Sequence, residues 1–278
     1  MRPEAIGASL LSACIHAGWN AVLKSGRDRL AEVGIMGIGG TLFGVAMLAW
    51  HGLPAAASWG FIAASTVVHL GYWLALNRSY DSGDMSHVYT MARGLAPALV
   101  AAGALLAARE TPTLVAAAGI ALVSLGIAAI GFSGRASLRA SLWASATGVT
   151  IATYSLLDAL GVRISGDAVA YIGLSSIGTF APISAWCLLR RRADQIAASM
   201  QGRWGRALLA GAASNLGFGL ALWAQTIAPI AYVTALRETS VVFGTGVAAW
   251  VLRVPVSARR WLGAAVVATG AILLGLGR

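Results

Sequence analysis

Ten stretches of about twenty mostly apolar residues constrain the fold of this chain more than any other feature. They cover residues 5–23, 31–50, 58–77, 87–108, 113–132, 142–162, 168–189, 207–226, 230–252 and 260–277. A helix of that length crosses the hydrocarbon core of a bilayer and satisfies its own backbone hydrogen bonds there. The sequence therefore predicts an all-α integral membrane protein with ten transmembrane helices.

The composition excludes most other classes of protein. Only 11% of the 278 residues are charged, against about 25% in soluble domains, and the links between the apolar stretches are short. No Gly-rich loop followed by Lys-Ser/Thr is present, and neither is a His-Glu-x-x-His or a paired Cys-x-x-Cys motif. We therefore expect no enzyme activity, no catalytic residues, no cofactor and no metal site.

The net charge of +10 comes from basic residues that mostly lie in the links between stretches. In a ten-span chain, 14 lysines and arginines face the side opposite the termini and four face the side of the termini. Such a bias indicates membrane topology and contact with lipid headgroups, and we expect no nucleic-acid partner. The positive-inside rule alone places those fourteen residues in the cytoplasm and both termini outside. We expect the chain to lie in the inner membrane of the cell as a multi-pass protein.

The two halves of the chain resemble each other. A shift of 144 residues aligns Arg93 with Arg237, Arg109 with Arg253, Gly119 with Gly263 and Gly126 with Gly270. Five spans per repeat is an odd number, so the second copy enters the membrane upside down. We predict a first five-helix repeat over residues 1–135 and a second, inverted one over residues 136–278. Such inverted repeats are typical of transporters, which bind substrate near the midplane between the repeats.

The chain contains several short motifs: His16-Ala17-Gly18-Trp19-Asn20 followed by Lys24, Gly83-Asp84-Met85-Ser86, Tyr89 with Ala92-Arg93-Gly94 and Pro97, and Leu236-Arg237-Glu238-Thr239-Ser240. These motifs resemble those of EamA-type members of the drug/metabolite transporter superfamily. The resemblance implies a carrier of small organic metabolites, frequently an exporter of amino acids or related compounds. It also implies a cavity between the halves and both termini in the cytoplasm, which is opposite to the orientation that the charge count predicts.

Arg93 and Arg237 are the central candidate site residues, because an arginine near the middle of a bilayer costs about 2.5 to 3.5 kcal/mol on insertion scales. Residues four positions apart share a helix face, which groups further polar side chains with them. The predicted substrate-binding residues are His16, Trp19, Asn20, His69, Trp73, Asn77, Tyr89, Arg93, Tyr154, Asn215, Trp223 and Arg237. Those of the first half lie towards one membrane side, and those of the second half lie towards the other.

These residue types suit the binding of a small anion or zwitterion. The two arginines would hold an anionic group, tryptophans would form apolar walls, and asparagines would fix the orientation of the substrate. Asp158 and Glu238 are the candidate proton carriers. Structural alternatives remain open: Arg237 could pair with Glu238, Arg93 could extend to the near interface, and the histidines could make interhelical hydrogen bonds.

The sequence thus favours a secondary transporter, with an exporter as the expected direction, that moves small polar metabolites by alternating access. Its expected partners are a small-molecule substrate and membrane lipids, and a monomer or a homodimer would suffice. Two other functions stay open: a flippase or carrier of a lipid-linked headgroup, and a membrane receptor without transport activity.

Overall fold

The computed structural model describes residues 1–24, 28–82, 85–131, 137–251 and 253–277, and all regular elements in those ranges are helical. The α-helices are α1 (Pro3–Lys24), α2 (Arg29–His51), α3 (Trp59–Ser82), α4 (Met85–Ala107), α5 (Leu114–Gly131), α6 (Leu138–Ile164), α7 (Ala168–Leu189), α8 (Ala193–Met200), α9 (Trp204–Ile227), α10 (Ile230–Arg237), α11 (Ser240–Gly246) and α12 (Ala258–Leu276). Gly83 and Asp84 of the family motif and the predicted boundary at residues 135 and 136 lie outside the described residues.

Within the described ranges, eight helices are long and apolar enough to cross a membrane, namely α1, α2, α3, α4, α5, α7, α9 and α12. The chain is therefore a multi-pass membrane protein. The predicted sixth span falls in α6, which is 27 residues long but carries Arg139, Asp158 and Arg163. By length and composition, α6 is therefore not among the described helices that are apolar enough to cross a membrane.

The predicted ninth span, residues 230–252, is not one continuous α-helix. It consists of α10, α11 and a π-helical segment, Val247–Val251. At the junction the amides of Glu238 and Thr239 donate to the carbonyls of Ala235 and Leu236, three residues earlier, as in a 3₁₀ turn. The prediction of one unbroken helix over this span is therefore wrong. Hydropathy does not reveal a locally tightened turn.

The short helix α8 was not predicted, since its eight residues lie in a polar link between two spans. Met200 at its end is fully buried against Ile35 and neighbouring residues of α2 and α9. Two ion pairs hold the same region to the start of α2: Arg191 to Asp28 at 3.1 Å and Arg203 to Glu32 at 2.8 Å. One buried side chain and two charge pairs thus hold this link against the helix bundle.

The long helices pack in pairs. α2 packs against α7, α5 against α12, α3 against α6, and α1 against α9. Glycines allow close crossings: a Cβ on Gly119 would lie 2.8 Å from the carbonyl oxygen of Gly270, and a Cβ on Gly270 would lie 2.7 Å from that of Gly119. Small residues at such crossings bring helix backbones together in lipid, where van der Waals packing drives association.

We expect Gly270→Leu to lower the stability of the protein by about 1 to 3 kcal/mol, because a side chain at this crossing must push α5 away from α12. Gly275→Leu is the matched control on the same helix, since a Cβ at Gly275 meets no heavy atom within 4 Å. Thermal unfolding of the two purified variants in detergent measures the difference. Equal midpoints would contradict the assigned crossing.

Candidate functional site

A buried ion pair joins α4 to the junction between α10 and α11. The Nε atom of Arg93 donates to Oε2 of Glu238 at 2.9 Å, and the two side chains are 14% and 6% exposed. The other guanidinium nitrogens also have partners: Nη1 lies 3.2 Å from Nε2 of His16, and Nη2 lies 3.4 Å from Oγ of Ser240. Arg93 is therefore held by three side chains, each of which lies far from it in the sequence.

The contact with Arg93 also defines the state of His16. A guanidinium group has donors and no acceptor, so Nε2 of His16 accepts this hydrogen bond. That nitrogen then carries no proton, and the imidazole is neutral. The ring of His16 meets the ring of Trp19 edge to face, with centroids 4.9 Å apart.

Arg237, next to Glu238 in the chain, has a different environment. Its guanidinium lies over the ring of Phe218, 5.2 Å from the centroid. Among the described residues, the ion pairs include none between Arg237 and a carboxylate. Glu238 follows Arg237 in the chain, and Phe218 in turn meets the ring of Tyr154, so Arg237 lies beside the Arg93–Glu238 pair. With His16 neutral, two guanidinium groups and one carboxylate leave an excess of one positive charge.

Aromatic rings surround this charged cluster. Tyr154 stacks on His69 with centroids 3.9 Å apart, and it meets Tyr72 and Phe218 edge to face at 6.0 and 6.4 Å. The ring of Tyr89 lies 5.7 Å from the guanidinium carbon of Arg93. Tyr154 comes from the half of the sequence opposite to His69, so the polar groups expected at two depths are in contact in one cluster.

The other predicted site residues lie apart from this cluster or bind within their own helices. Asn20 and Asn77 donate to the carbonyls of His16 and Trp73, four residues earlier, and Asn77 is exposed. Asn215 is buried, and it joins α9 to α2 by donating to the carbonyl of Gly40 at 2.7 Å.

Two of the predicted aromatic residues and one predicted acid have other surroundings. Trp223 is 38% exposed on α9. Trp73 contacts the ring of Tyr72 at the edge of the aromatic group, with centroids 5.9 Å apart. Asp158 is fully buried and accepts a hydrogen bond from Tyr171, 3.0 Å away, rather than from an arginine.

Phe218, Tyr72 and Ser240 also contact this cluster, although they are not among the predicted site residues. Phe218 lies three residues after Asn215 and therefore on a neighbouring part of the same helix face. Ser240 belongs to the motif string that contains Arg237. Helical spacing could have suggested these residues, but an apolar ring on an apolar helix carries no distinguishing signal.

A second ion pair fixes the amino-terminal end of α10. Arg163 at the end of α6 binds Glu110 at 2.7 Å, and the other carboxylate oxygen of Glu110 accepts from the amide of Ile230 at 2.7 Å. A carboxylate at the amino end of a helix also stabilises the helix dipole. This network positions α10 and with it Arg237 and Glu238.

We expect a double-mutant cycle to show strong coupling between Arg93 and Glu238. Arg93→Gln and Glu238→Gln each leave a buried charge without its partner, which costs about 3 to 5 kcal/mol, whereas the double variant removes both charges. Thermal unfolding of the purified variants in detergent measures the cycle. Strictly additive losses would show that the pair does not interact.

Comparisons with known proteins agree with this architecture. A solved structure described as "Crystal structure of protein" is 15% identical in sequence and superposes with a TM-score of 0.78 over 99% of this chain and 98% of its own. At that identity the likeness concerns the fold alone. No curated protein sequence matches the chain.

The family comparison concerns the carboxy-terminal half of the chain. The EamA-like transporter family matches residues 138–276, which is half of the sequence. The resemblance inferred from the short motifs is thereby confirmed, and the family is one of transporters and not of enzymes. The chain belongs to the EamA-like transporter family.

Proposed function

We propose that the ten predicted spans form two inverted five-helix repeats. The first repeat is α1 to α5, and the second is α6, α7, α9, the α10–α11 segment and α12. The packing supports this assignment, because exchanging each helix for its counterpart maps the observed pairs onto observed pairs. The pair of α3 and α6 becomes that of α9 and α1, while α2 with α7 and α5 with α12 map onto themselves.

Two further features support the repeat at the level of single residues. Arg109 and Arg253, 144 positions apart, have positive φ angles of 54° and 52°. In both places the residue that follows donates its amide to a carbonyl six residues earlier: Glu110 to Ala104 and Val254 to Ala248. This bond spans one residue more than the 6→1 bond of a Schellman motif, and in both places a left-handed residue follows the end of a helix.

The inverted repeat predicts that Arg109 and Arg253 lie on opposite sides of the membrane. In a variant whose native cysteines are replaced by serine, Arg109→Cys and Arg253→Cys should therefore react with a membrane-impermeant maleimide from opposite sides. Labelling of intact cells before and after permeabilisation measures this. Labelling of both positions from the same side would contradict the inverted arrangement, whichever side the termini occupy.

We infer that the protein transports small polar metabolites that carry a negative group, with amino acids and related zwitterions as the best fit. The observation that carries this inference is the excess positive charge of the cluster formed by Arg93, Arg237, Glu238 and His16. Arg237 is only partly exposed and has no paired carboxylate among the described residues, so a binding anion would gain more there than at a fully exposed arginine.

The geometry supports a division of tasks between the two arginines. Arg93 already has a carboxylate partner in Glu238, whereas the charge of Arg237 is met by the face of Phe218. A substrate carboxylate would thus bind Arg237 first, by a bidentate contact. An ammonium group on the same substrate could then approach Glu238, and the rings of Tyr154 and Phe218 would contact its apolar part.

The Arg93–Glu238 pair also suggests how binding would be linked to movement. It connects α4 of the first proposed repeat to the α10–α11 junction of the second. A substrate that binds either partner weakens this connection, and the helices that carry the two partners can then move relative to each other around the site. Arg93 would exchange the carboxylate of Glu238 for that of the substrate, and alternating access would follow from this change of partner.

The test is transport into proteoliposomes with a defined set of labelled probes: neutral amino acids, a dicarboxylate, an alkyl phosphonate and choline. We expect the wild-type protein to move at least one anionic or zwitterionic probe and not choline. Arg93→Gln and Arg237→Gln should each reduce that transport by at least about tenfold, the effect of losing about 1.4 kcal/mol of binding. Arg139→Gln, which changes an exposed arginine on α6, is the matched control.

The direction of transport is tested in cells. Metabolite profiling of cells and medium with empty vector, wild type and Arg93→Gln at equal membrane levels should show a polar metabolite that leaves the cell only with wild type. Equal redistribution by wild type and variant would remove Arg93 from the site. No transport of any probe by wild type would favour a lipid-linked headgroup or a receptor function.

A further inference from the structure

Asp158 is a buried acid that takes no part in the arginine cluster. Its side chain is fully buried in α6, and Oδ1 accepts a hydrogen bond from the hydroxyl of Tyr171 at 3.0 Å. Within the described part of the chain, Oδ2 has no hydrogen-bond partner. The other buried acids differ in this respect, because Glu238 pairs with Arg93 and Glu32 with Arg203.

An ionised carboxylate in such a place is unfavourable. Burying a charge without a counter-charge costs far more than burying a paired one, and a buried carboxyl usually binds a proton instead. A protonated Asp158 would also offer an O–H donor at the oxygen that lacks a partner. Glu238 needs no proton, since Arg93 balances its charge.

We propose that Asp158 is the site that binds and releases the proton coupled to transport, and that Ser65 and His69 connect it to the substrate cluster. This proposal rests on the proposed transport function. Asp158 stands apart from the substrate-binding residues, so its role is in driving transport and not in recognising the substrate.

The hydrogen bonds define a route for the proton. Nδ1 of His69 lies 2.9 Å from the carbonyl oxygen of Ser65, which can only accept, so this nitrogen carries a hydrogen. The same nitrogen lies 3.2 Å from the hydroxyl oxygen of Ser65. Tyr171 donates a hydrogen bond to the Asp158 carboxylate, and Ser65 on the neighbouring helix α3 lies close enough to act on its charge. His69 contacts Ser65, and the route is completed when the Ser65 hydroxyl turns toward the Asp158 oxygen that has no partner among the described residues.

Moving one proton along this route conserves both hydrogen atoms and charge. A proton from the substrate cavity binds Nε2 of His69, the Nδ1 hydrogen moves to the Ser65 oxygen, and the Ser65 hydroxyl hydrogen moves to Asp158. Afterwards His69 and Ser65 are neutral again, and the carboxylate has become a carboxylic acid. The His69 ring stacks on Tyr154, which places the entrance of the route at the aromatic wall of the proposed substrate site.

Few other titratable groups face Asp158. Tyr171 comes from α7, Tyr154 from the same helix, and His69 from α3 through Ser65. The helices α4, α9 and α10, which also pack against α6, contribute no charged partner to this carboxylate among the described residues. Arg163 at the end of α6 is engaged with Glu110. Protonation of Asp158 therefore changes the charge of this region by a full unit.

Infrared difference spectroscopy tests the protonation without any substrate. Purified protein in liposomes should show the carbonyl band of a protonated carboxyl group at neutral pH, with a shift in D₂O. Asp158→Asn should remove that band and Glu238→Gln should retain it. A band that survives in Asp158→Asn, or that disappears in Glu238→Gln, would overturn the assignment.

Proteoliposomes test the coupling with whichever probe of the set above the wild type transports best. A pH gradient should drive accumulation by wild type, and Asp158→Asn should lose that accumulation while still exchanging labelled for unlabelled probe. Ser65→Ala, a small change that removes the relay hydroxyl, should slow gradient-driven uptake by at least about tenfold with exchange unchanged. Gradient-driven accumulation by Asp158→Asn at the wild-type level would overturn the proposal. Loss of exchange in the wild type itself would instead contradict the proposed function.

Discussion

The ion pair between Arg93 and Glu238 is the interaction on which the candidate site depends. Each partner alone would be a charge held away from water, and the pair is tolerable only because 2.9 Å separates the two groups. Bringing them together requires α4 to lie beside the α10–α11 junction, where a tightened turn interrupts the helix. The same turn places Arg237 next to the pair. The cluster therefore carries one more positive charge than it neutralises, which suits an anionic group of a substrate.

Helix crossings at glycine provide the frame for that pair. The contacts between Gly119 and Gly270 are reciprocal, and so are those between Gly126 and Gly263, where each added Cβ would lie within 3.0 Å of the opposite carbonyl oxygen. Close crossings of this kind restrict how α5 and α12 can slide, because packed backbones leave little room for adjustment. A rigid α5–α12 pair next to a breakable ion pair is a suitable combination for a transporter, in which some helices move while others keep their contacts.

Part of the candidate site could be predicted from the sequence. The cost of placing an arginine in lipid singled out Arg93 and Arg237, and helical spacing added His16, His69 and Tyr154, all of which meet in one cluster. The asparagines were less predictable: an amide on a membrane helix can bind a substrate, its own helix or a neighbouring backbone with similar gain. Asn215 binds the carbonyl of Gly40, and only the packing of α9 against α2 shows this. Phe218 has no polar group and so gave no sign of its contact with Arg237.

The sequence by itself determined the all-helical membrane class and the transporter family, because apolar length and short motifs are local properties. Hydropathy could not show the break after Arg237 or the helix α8, since both depend on a few hydrogen bonds and one buried contact. The tertiary structure alone decided which acid pairs with which arginine. Glu238 lies next to Arg237 in the chain, yet it binds Arg93 from another helix, and Asp158 binds no arginine in the part of the chain that the structure describes. The physical reason is that electrostatic pairing depends on distances between side chains, and adjacent residues on a helix point in different directions.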